Sequence, residues 1–318
     1  MNDVTDQTRM APAEHAAPGR LRQLLAQGAF ALTAEIVPPA TTSRQAVLDK
    51  ALPLRGLVDA VNVTDGASAR VHVSALIAAG ELVEAGIDPI LQMTCRDRNR
   101  ISLQGDLLGA ATLGIRNLLI MRGDDPSAGD QPAAKPVFDL EVSELLATAA
   151  MIRDRGELPS GRAVDGPAPF FLGAADMPID PPPGWTPDRL RSKVEAGAEF
   201  VQTQICMDAE IMRRYAARLI DEGLGERLYL LAGVAVPASA RSACWMRDKL
   251  FGAVIPDALV ARLRGAADEK AEGRSACAEV IQQLAELPGV SGAHIMAPLN
   301  EASIPAVVEE SGILKRRG

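Results

Sequence analysis

The sequence predicts an α/β protein, a (β/α)8 barrel in a single domain with extra helices before the last strand. Three observations carry that expectation. Short runs of Leu, Val, Ile and Phe alternate along the chain with Ala/Leu-rich amphipathic stretches. Most of those runs are continuously hydrophobic rather than alternating, the mark of parallel strands covered on both faces. Eight such units follow residue 18, at about 37 residues each, against about 250 residues for a typical barrel without insertions. The rival architecture, an open doubly wound sheet, announces itself with GxGxxG after its first strand. Here the first run ends EIVPP, which cannot make that turn.

Residues 1–18 are polar and aperiodic and read as a loose tail, with the barrel over 19–318. The first strand is expected at 30–37, followed by a helix at 43–54 opened by Thr42-Ser43. Strand 59–65 precedes helix 73–85, strand 89–95 precedes helix 103–113, and strand 117–124 precedes helix 142–154. In the second half the strands are 169–174, 200–206, 228–236 and 292–297. Their helices are 187–196 behind Thr186-Pro187, 209–222 behind Asp208, and 239–250, each opening on a capping residue or early Pro. A helical region over 257–287 contains a break, and a last helix covers 302–310. The length beyond a minimal barrel falls in the Pro/Gly-rich stretch 126–136, in 154–169, and in the helices before the last strand.

Composition removes several function classes. Lys plus Arg is 33 and Asp plus Glu is 41, a formal charge of −8, so nucleic acid and anionic membrane surfaces lose their electrostatic attraction. Aromatics are 3%, too few for a base-stacking platform. The four cysteines show no CxxC spacing and the three histidines no ligand spacing, which argues against zinc. The N-terminal stretch lacks a secretory pattern and no apolar run is long enough to span a bilayer, so a cytoplasmic location is expected.

In such a barrel the site lies at the carboxyl ends of the strands. Those ends carry Thr33 and Glu35; Asn62, Thr64 and Asp65; Gln92, Thr94 and Cys95; Arg122, Gly123, Asp124 and Asp125; and Gln202, Thr203 and Gln204. Residues two apart share a strand face, so Thr33 points with Glu35 and Gln202 with Gln204. Glu35 is the sharpest signal. A carboxyl inside ALTAEIVPP is costly to bury unless bonded, and one without a neighbouring base suits a general acid. It equally suits a structural carboxylate bonded to Lys or backbone amides. Asp124 reads either as a functional carboxylate or as a loop cap. A divalent-metal lyase is disfavoured by the scarcity of histidine, and a Schiff-base aldolase by the lack of lysine at a strand end. Arg96, Arg98 and Arg100 suit either an anionic group or a solvated loop. His294 reads as a bonded core histidine or one facing the site, His72 as a surface or cap residue, and Cys95 and Cys206 as small buried hydrophobes.

The succession AEIVPP, NVTDG, QMTCRDRN and GIRNLLIMRGDDP, then KVEAGAEFVQTQ and GVSGAHIMAP, resembles the methylenetetrahydrofolate reductase family. The segments stand in the family's order over roughly 28–315. RGDDPSAGDQPAAKPVFDL is most similar to short bacterial members, without a C-terminal regulatory domain. The resemblance implies a (β/α)8 barrel that reduces 5,10-methylenetetrahydrofolate to 5-methyltetrahydrofolate, with hydride passing from NADH or NADPH through FAD. By motif it implies Glu35 as the acid that opens the substrate ring, Asp124 between flavin and folate, and Gln204 as a folate contact. Thr64, Gln92, Arg122, Gly123, Asp124, Ala174 and Lys193 fall on its flavin contacts. It further implies association of like chains and a role in one-carbon metabolism and methionine supply, or in the reverse direction in one-carbon catabolism.

Two segments depart from the family pattern. Gln92 stands where members commonly have His, and GAADMPIDPPPG lacks the Tyr found after strand five. Both departures fall on flavin contacts. Flavin-free direct hydride transfer and a non-catalytic folate-binding accessory subunit are therefore the alternatives to the flavoenzyme. Trp185 reads as a substitute stacking surface or as a core cap.

Overall fold

Each apolar run becomes a strand because a closed parallel barrel hides both strand faces, one in the lumen and one under helices. The computed structural model describes residues 18–316. Its strands are β1 (Ala31–Ile36), β2 (Ala60–Val63), β3 (Pro89–Thr94), β4 (Asn117–Met121), β5 (Phe171–Asp176), β6 (Phe200–Ile205), β7 (Tyr229–Ala235) and β8 (Gly292–Met296). They form a closed parallel barrel in chain order, and β8 pairs back onto β1 with His294 opposite Thr33. Seven strands lie inside the runs expected from sequence, and β5 runs on to Asp176. β4 stops at Met121, so Arg122, Gly123 and Asp124 sit in the following loop, not in the strand as expected. The tail expected over 1–18 lies, apart from Pro18, outside the described residues.

A helix the sequence pattern did not announce, α1 (Arg20–Ala26), closes the N-terminal end of the barrel. Leu21 and Leu25 pack onto the lowest lumen layer, which includes Ile90, Leu119, Phe171 and Phe200. There the Phe171 and Phe200 rings stack with centroids 4.8 Å apart. Asp88 anchors the plug. It accepts the Leu21 N–H at 3.3 Å and the Asn117 side-chain amide at 2.9 Å. Burial raises the Asp88 carboxyl pKa above its ordinary value, partly offset by these hydrogen bonds.

The outer layer is α2 (Arg44–Ala51), α3 (Ala75–Glu84), α4 (Arg100–Thr112), α5 (Val142–Arg155), α6 (Asp188–Glu195) and α7 (Ala209–Asp221). After β7 come α8 (Ala240–Lys249), α9 (Asp257–Gly265) and α10 (Glu269–Leu284), and after β8 come α11 (Ile304–Ser311) and α12 (Ile313–Arg316). The break expected within 257–287 is the α9–α10 junction. There the Asp268 carboxylate caps α10, accepting the N–H groups of Lys270 and Ala271 at 3.0 Å each. The extra length before β8 returns to the mouth, where Val254 donates to the Ile205 carbonyl at 2.8 Å and accepts from Met207 at 2.9 Å. No helix among the described residues is long and apolar enough to cross a membrane.

Leu21 is fully buried in the plug contact. Leu21→Ala is expected to lower stability by about 2–5 kcal/mol in urea unfolding, as for other buried leucines. A loss below about 1 kcal/mol would place α1 outside the cooperative core.

Candidate active site at the carboxyl ends of the strands

Above the apolar layer the lumen turns polar. Thr33, Asn62, Gln92, Gln202 and His294 project inward from β1, β2, β3, β6 and β8, each with 5% or less of its surface exposed. Burying so many polar groups costs several kcal/mol each unless every one is bonded. Here they bond one another. Asn62 and Gln202 face across the lumen and exchange two amide bonds, Asn62 Nδ2 to Gln202 Oε1 at 2.6 Å and Gln202 Nε2 to Asn62 Oδ1 at 3.1 Å. Gln202 Nε2 also donates to Thr33 Oγ1 at 3.2 Å, and that hydroxyl lies 3.0 Å from His294 Nδ1.

Glu35 stands one step above this layer, its side chain 24% exposed. Its Oε2 accepts a 2.9 Å hydrogen bond from Gln92 Nε2 and lies 3.8 Å from His294 Nε2. Both partners are neutral donors when the histidine is uncharged. The carboxyl is thus fixed in direction and meets the open end of the barrel.

The other anticipated residues distribute around that mouth. Thr64, just past β2, is 3% exposed, and its Oγ1 is buried with no hydrogen-bond partner. Asp124 is exposed in the loop after β4 and accepts the Ser68 N–H at 2.8 Å, joining the loops that follow β2 and β4. Gly123 has φ +94°, and a Cβ there would sit 3.0 Å from the Thr94 and Arg96 side chains, so the turn that presents Asp124 favours glycine. Arg122 is stacked over the Phe138 ring at 4.1 Å and paired with Glu141 at 3.2 Å. Lys193 of α6 donates to the Ala175 carbonyl at 2.5 Å and lies 3.6 Å from Asp176. Ala174 is turned away: alternation puts its side chain under the helices, in the outer core.

Gln204 corrects the alternation argument. β6 and β7 pair Gln202 with Leu231 and Ile205 with Gly233, so β6 carries one extra residue, a bulge. A Cβ on Gly233 would lie 2.2 Å from the Thr203 carbonyl, so the bulge requires glycine opposite it. Gln204 therefore does not simply repeat the direction of Gln202. Its Oε1 accepts the Ile205 N–H at 2.9 Å and its Nε2 donates to the Phe251 carbonyl at 3.2 Å. The Phe251 ring itself is 84% exposed beside the mouth.

The three arginines are engaged within the chain, although Arg98 Nε is buried without a partner. Arg96, 4% exposed, donates to the Gly66 and Asp124 carbonyls at 3.3 Å and to Asp97 at 2.7 Å. Arg98 bridges Asp65 and Asp106, and Asp65 in turn accepts the Thr94 N–H at 2.8 Å. Arg100 is paired with Asp139 at 2.9 Å. They tie the loops of the mouth together. Trp185 packs against the core, 6.0 Å from the Tyr215 ring, as a cap. His72 is half-buried beside the Ala67 carbonyl at 3.3 Å. Burial pushes the Cys95 and Cys206 thiols up to about 11, so neither is a thiolate nucleophile at neutral pH. Among the described residues no group of three or more His, Cys, Asp or Glu is placed to hold a metal ion. A cavity of about 910 Å³ lies at the opposite end, beside α1, and its Arg22 and Arg153 are already paired with Glu199.

Sequence reasoning named Glu35 and Gln92 but did not join them. His294, read as core or as facing the site, is both, and its place beside Glu35 was hidden because its strand meets β1 only when the barrel closes. The signal available was that β1 and β8 are neighbours in any such barrel.

The methylenetetrahydrofolate reductase family model matches residues 20–312. A Caenorhabditis elegans protein described as a probable methylenetetrahydrofolate reductase (NADPH) is 26% identical over 257 residues, covering 78% of this chain and 36% of its own length. Methylenetetrahydrofolate reductase 2 of Schizosaccharomyces pombe is 25% identical over 245 residues, covering 73% of this chain and 37% of its own. The chain thus spans about a third of the length of the curated relatives it matches. A Clostridium thermocellum protein, described as binding two copies of 5-methyl-5,6,7,8-tetrahydrofolic acid, has the same fold with TM-score 0.63. It is 12% identical, and the match covers 94% of this chain and all of that one.

Thr64→Val keeps the shape of a hydroxyl that bonds nothing inside the protein. Its stability in urea is expected to hold or to rise by up to about 1 kcal/mol, since a buried unbonded polar atom is removed. A loss above about 2 kcal/mol would reveal an internal partner for Oγ1.

Proposed function

The chain belongs to the methylenetetrahydrofolate reductase family, and from that premise we propose that it reduces 5,10-methylenetetrahydrofolate to 5-methyltetrahydrofolate with hydride from NADH or NADPH by way of bound FAD. The observation that carries the reading is Glu35, held at the mouth by the neutral amide of Gln92. Reduction requires the five-membered ring of the substrate to open. A proton delivered to one ring nitrogen lets its C–N bond to the bridging carbon break, leaving an iminium carbon that accepts hydride. A positioned acid is worth about 10²–10⁴-fold in such a step. Glu35 is the side chain placed to hold and deliver that proton. Gln204 and Asp124 flank the same mouth, and on this reading they orient the pterin.

The residues present fit a flavin. The buried, unbonded Thr64 Oγ1 is a polar group in want of a partner at the mouth. Thr64, Gly123, Asp124 and Lys193 would hold the cofactor. When bound, it supplies hydride storage between nicotinamide and folate, while the chain supplies orientation. A carboxylate such as Asp124 near the pyrimidine edge would disfavour an anionic reduced flavin. The Clostridium thermocellum protein supports the folate half of the reading, because a barrel of this fold is described as binding a methylated tetrahydrofolate.

Direct hydride transfer without flavin is the second reading. It is favoured by the other engagements of three expected contacts: Gln92 on Glu35, Arg122 on Phe138, and Ala174 under the helices. An accessory folate-binding role is the third. On the first reading the protein works in the cytoplasm, as an assembly of like chains, in methionine supply or in reverse in one-carbon catabolism.

Purified protein titrated with FAD is expected to acquire the visible flavin band, which NADH or NADPH then bleaches. Colourless protein that still oxidises the nicotinamide with methylenetetrahydrofolate would select direct transfer, and protein that binds folate without turnover the accessory role.

Glu35→Gln is expected to slow folate reduction by about 10²–10⁴-fold. Nicotinamide oxidation with an artificial electron acceptor should stay within a few-fold. Folate reduction that survives at near the parent rate would remove Glu35 from the chemistry.

A further inference from the structure

Two nitrogens of the polar layer that closes the lumen face one oxygen of Glu35. Gln92 Nε2 donates to Oε2 at 2.9 Å, and His294 Nε2 faces the same Oε2 at 3.8 Å, beyond hydrogen-bond distance.

Which histidine nitrogen carries the proton follows from the bonds behind it. Gln202 Oε1 accepts from Asn62, so its NH2 faces Asn62 Oδ1 and Thr33 Oγ1. Thr33 Oγ1 is thus an acceptor from Gln202. The nearer acceptor for its single hydrogen is His294 Nδ1 at 3.0 Å, with the Ala293 carbonyl more distant at 3.5 Å. Gln202 Nε2 also lies 3.4 Å from Nδ1, so two donors surround that nitrogen; we infer that Nδ1 accepts and that the ring proton of neutral His294 sits on Nε2, the nitrogen that faces Glu35.

We propose that Gln92 and His294 are positioning residues for Glu35: their N–H groups make Oε2 the accepting oxygen, so that the acid proton is carried on Oε1. Thr33, Gln202 and Asn62 hold His294 in the tautomer this requires. The inference rests on the reading of Glu35 as the ring-opening acid. It explains why a barrel lumen that is ordinarily filled by branched apolar side chains holds a bonded polar layer in this protein. A carboxyl free to turn over would present its proton in the productive direction only part of the time. A misplacement of about 1 Å can cost about 10²-fold in rate.

The first test needs no turnover. The chain has three histidines, so the side-chain nitrogen spectrum of labelled protein is simple, and His294→Ala assigns the resonance. The expected result is the Nε2–H tautomer for His294, moving toward Nδ1–H in Thr33→Val, which removes the hydroxyl donor while keeping the shape. An Nδ1–H tautomer in the parent protein overturns the proposal.

The second test is kinetic. Gln92→Met and His294→Ala are each expected to lower kcat for folate reduction by about tenfold to 10²-fold, with KM within about threefold. His294→Gln, which returns an N–H near the position of Nε2, should restore most of the rate. If Glu35→Gln abolishes folate reduction while both positioning variants stay within twofold of the parent, the positioning role fails and the acid role stands. If Glu35→Gln itself is without effect, the functional reading fails, and the positioning role falls with it whatever tautomer His294 adopts.

Discussion

The reciprocal amide pair between Asn62 and Gln202 is the constraint on which the interior depends. It spans the lumen from β2 to β6 and closes the hydrogen-bond account of two buried amides at once. Below it the barrel is apolar and plugged by α1; above it stand Glu35 and the mouth. A branched aliphatic residue at either position would strand the opposite amide in the core, at a cost of about 1–3 kcal/mol. The pair also places the Gln202 NH2 beside the Thr33 hydroxyl, which in turn bonds the His294 ring. The surroundings of Glu35 are thus set by bonds made across the full width of the barrel.

Around this centre the charges of the loops are paired with one another. Asp65 and Asp106 are paired with Arg98 of the loop after β3, and Asp139 with Arg100 at the start of α4. These pairs and the buried Arg96 join the loops that follow β2, β3 and β4 into one rim. Exposed ion pairs contribute little stability singly, but a network with a buried guanidinium bonded to two backbone carbonyls resists the loss of any one member. The loops that carry Gly66, Ser68 and Asp124 are therefore held in place relative to the strands.

Most of the architecture was legible because parallel strands buried on both faces write themselves as unbroken apolar runs. The eight strands and the break before α10 came from that signal together with capping residues. α1 escaped because seven residues are too few to show a period. Glu35 stood out as a lone carboxyl in an apolar strand. The bulge at Gln202–Ile205 was hidden, since nothing in FVQTQI marks an extra residue until Gly233 is seen opposite. The loop arginines looked available because their partners lie in separate stretches of chain. His294 looked like core, which it is, while also facing Glu35. Ala174 looked like a cofactor contact by motif, and its face of the strand is decided by alternation from Phe171.

A side chain that must hold a proton and then release it cannot be locked to a permanent cation, because a guanidinium partner favours the ionised carboxylate throughout the cycle. That criterion separates the carboxylates of the mouth. Asp65 is bound to Arg98, and Asp176 lies beside Lys193 and accepts from Tyr215. Asp124 is exposed and bonded by the Ser68 backbone amide, which ties the loops after β2 and β4 together. Glu35 alone combines partial burial, a neutral amide donor and a neighbouring imidazole. On the proposed reading, proton transfer at this mouth belongs to β1, and the carboxylates of the β2, β4 and β5 ends build the rim.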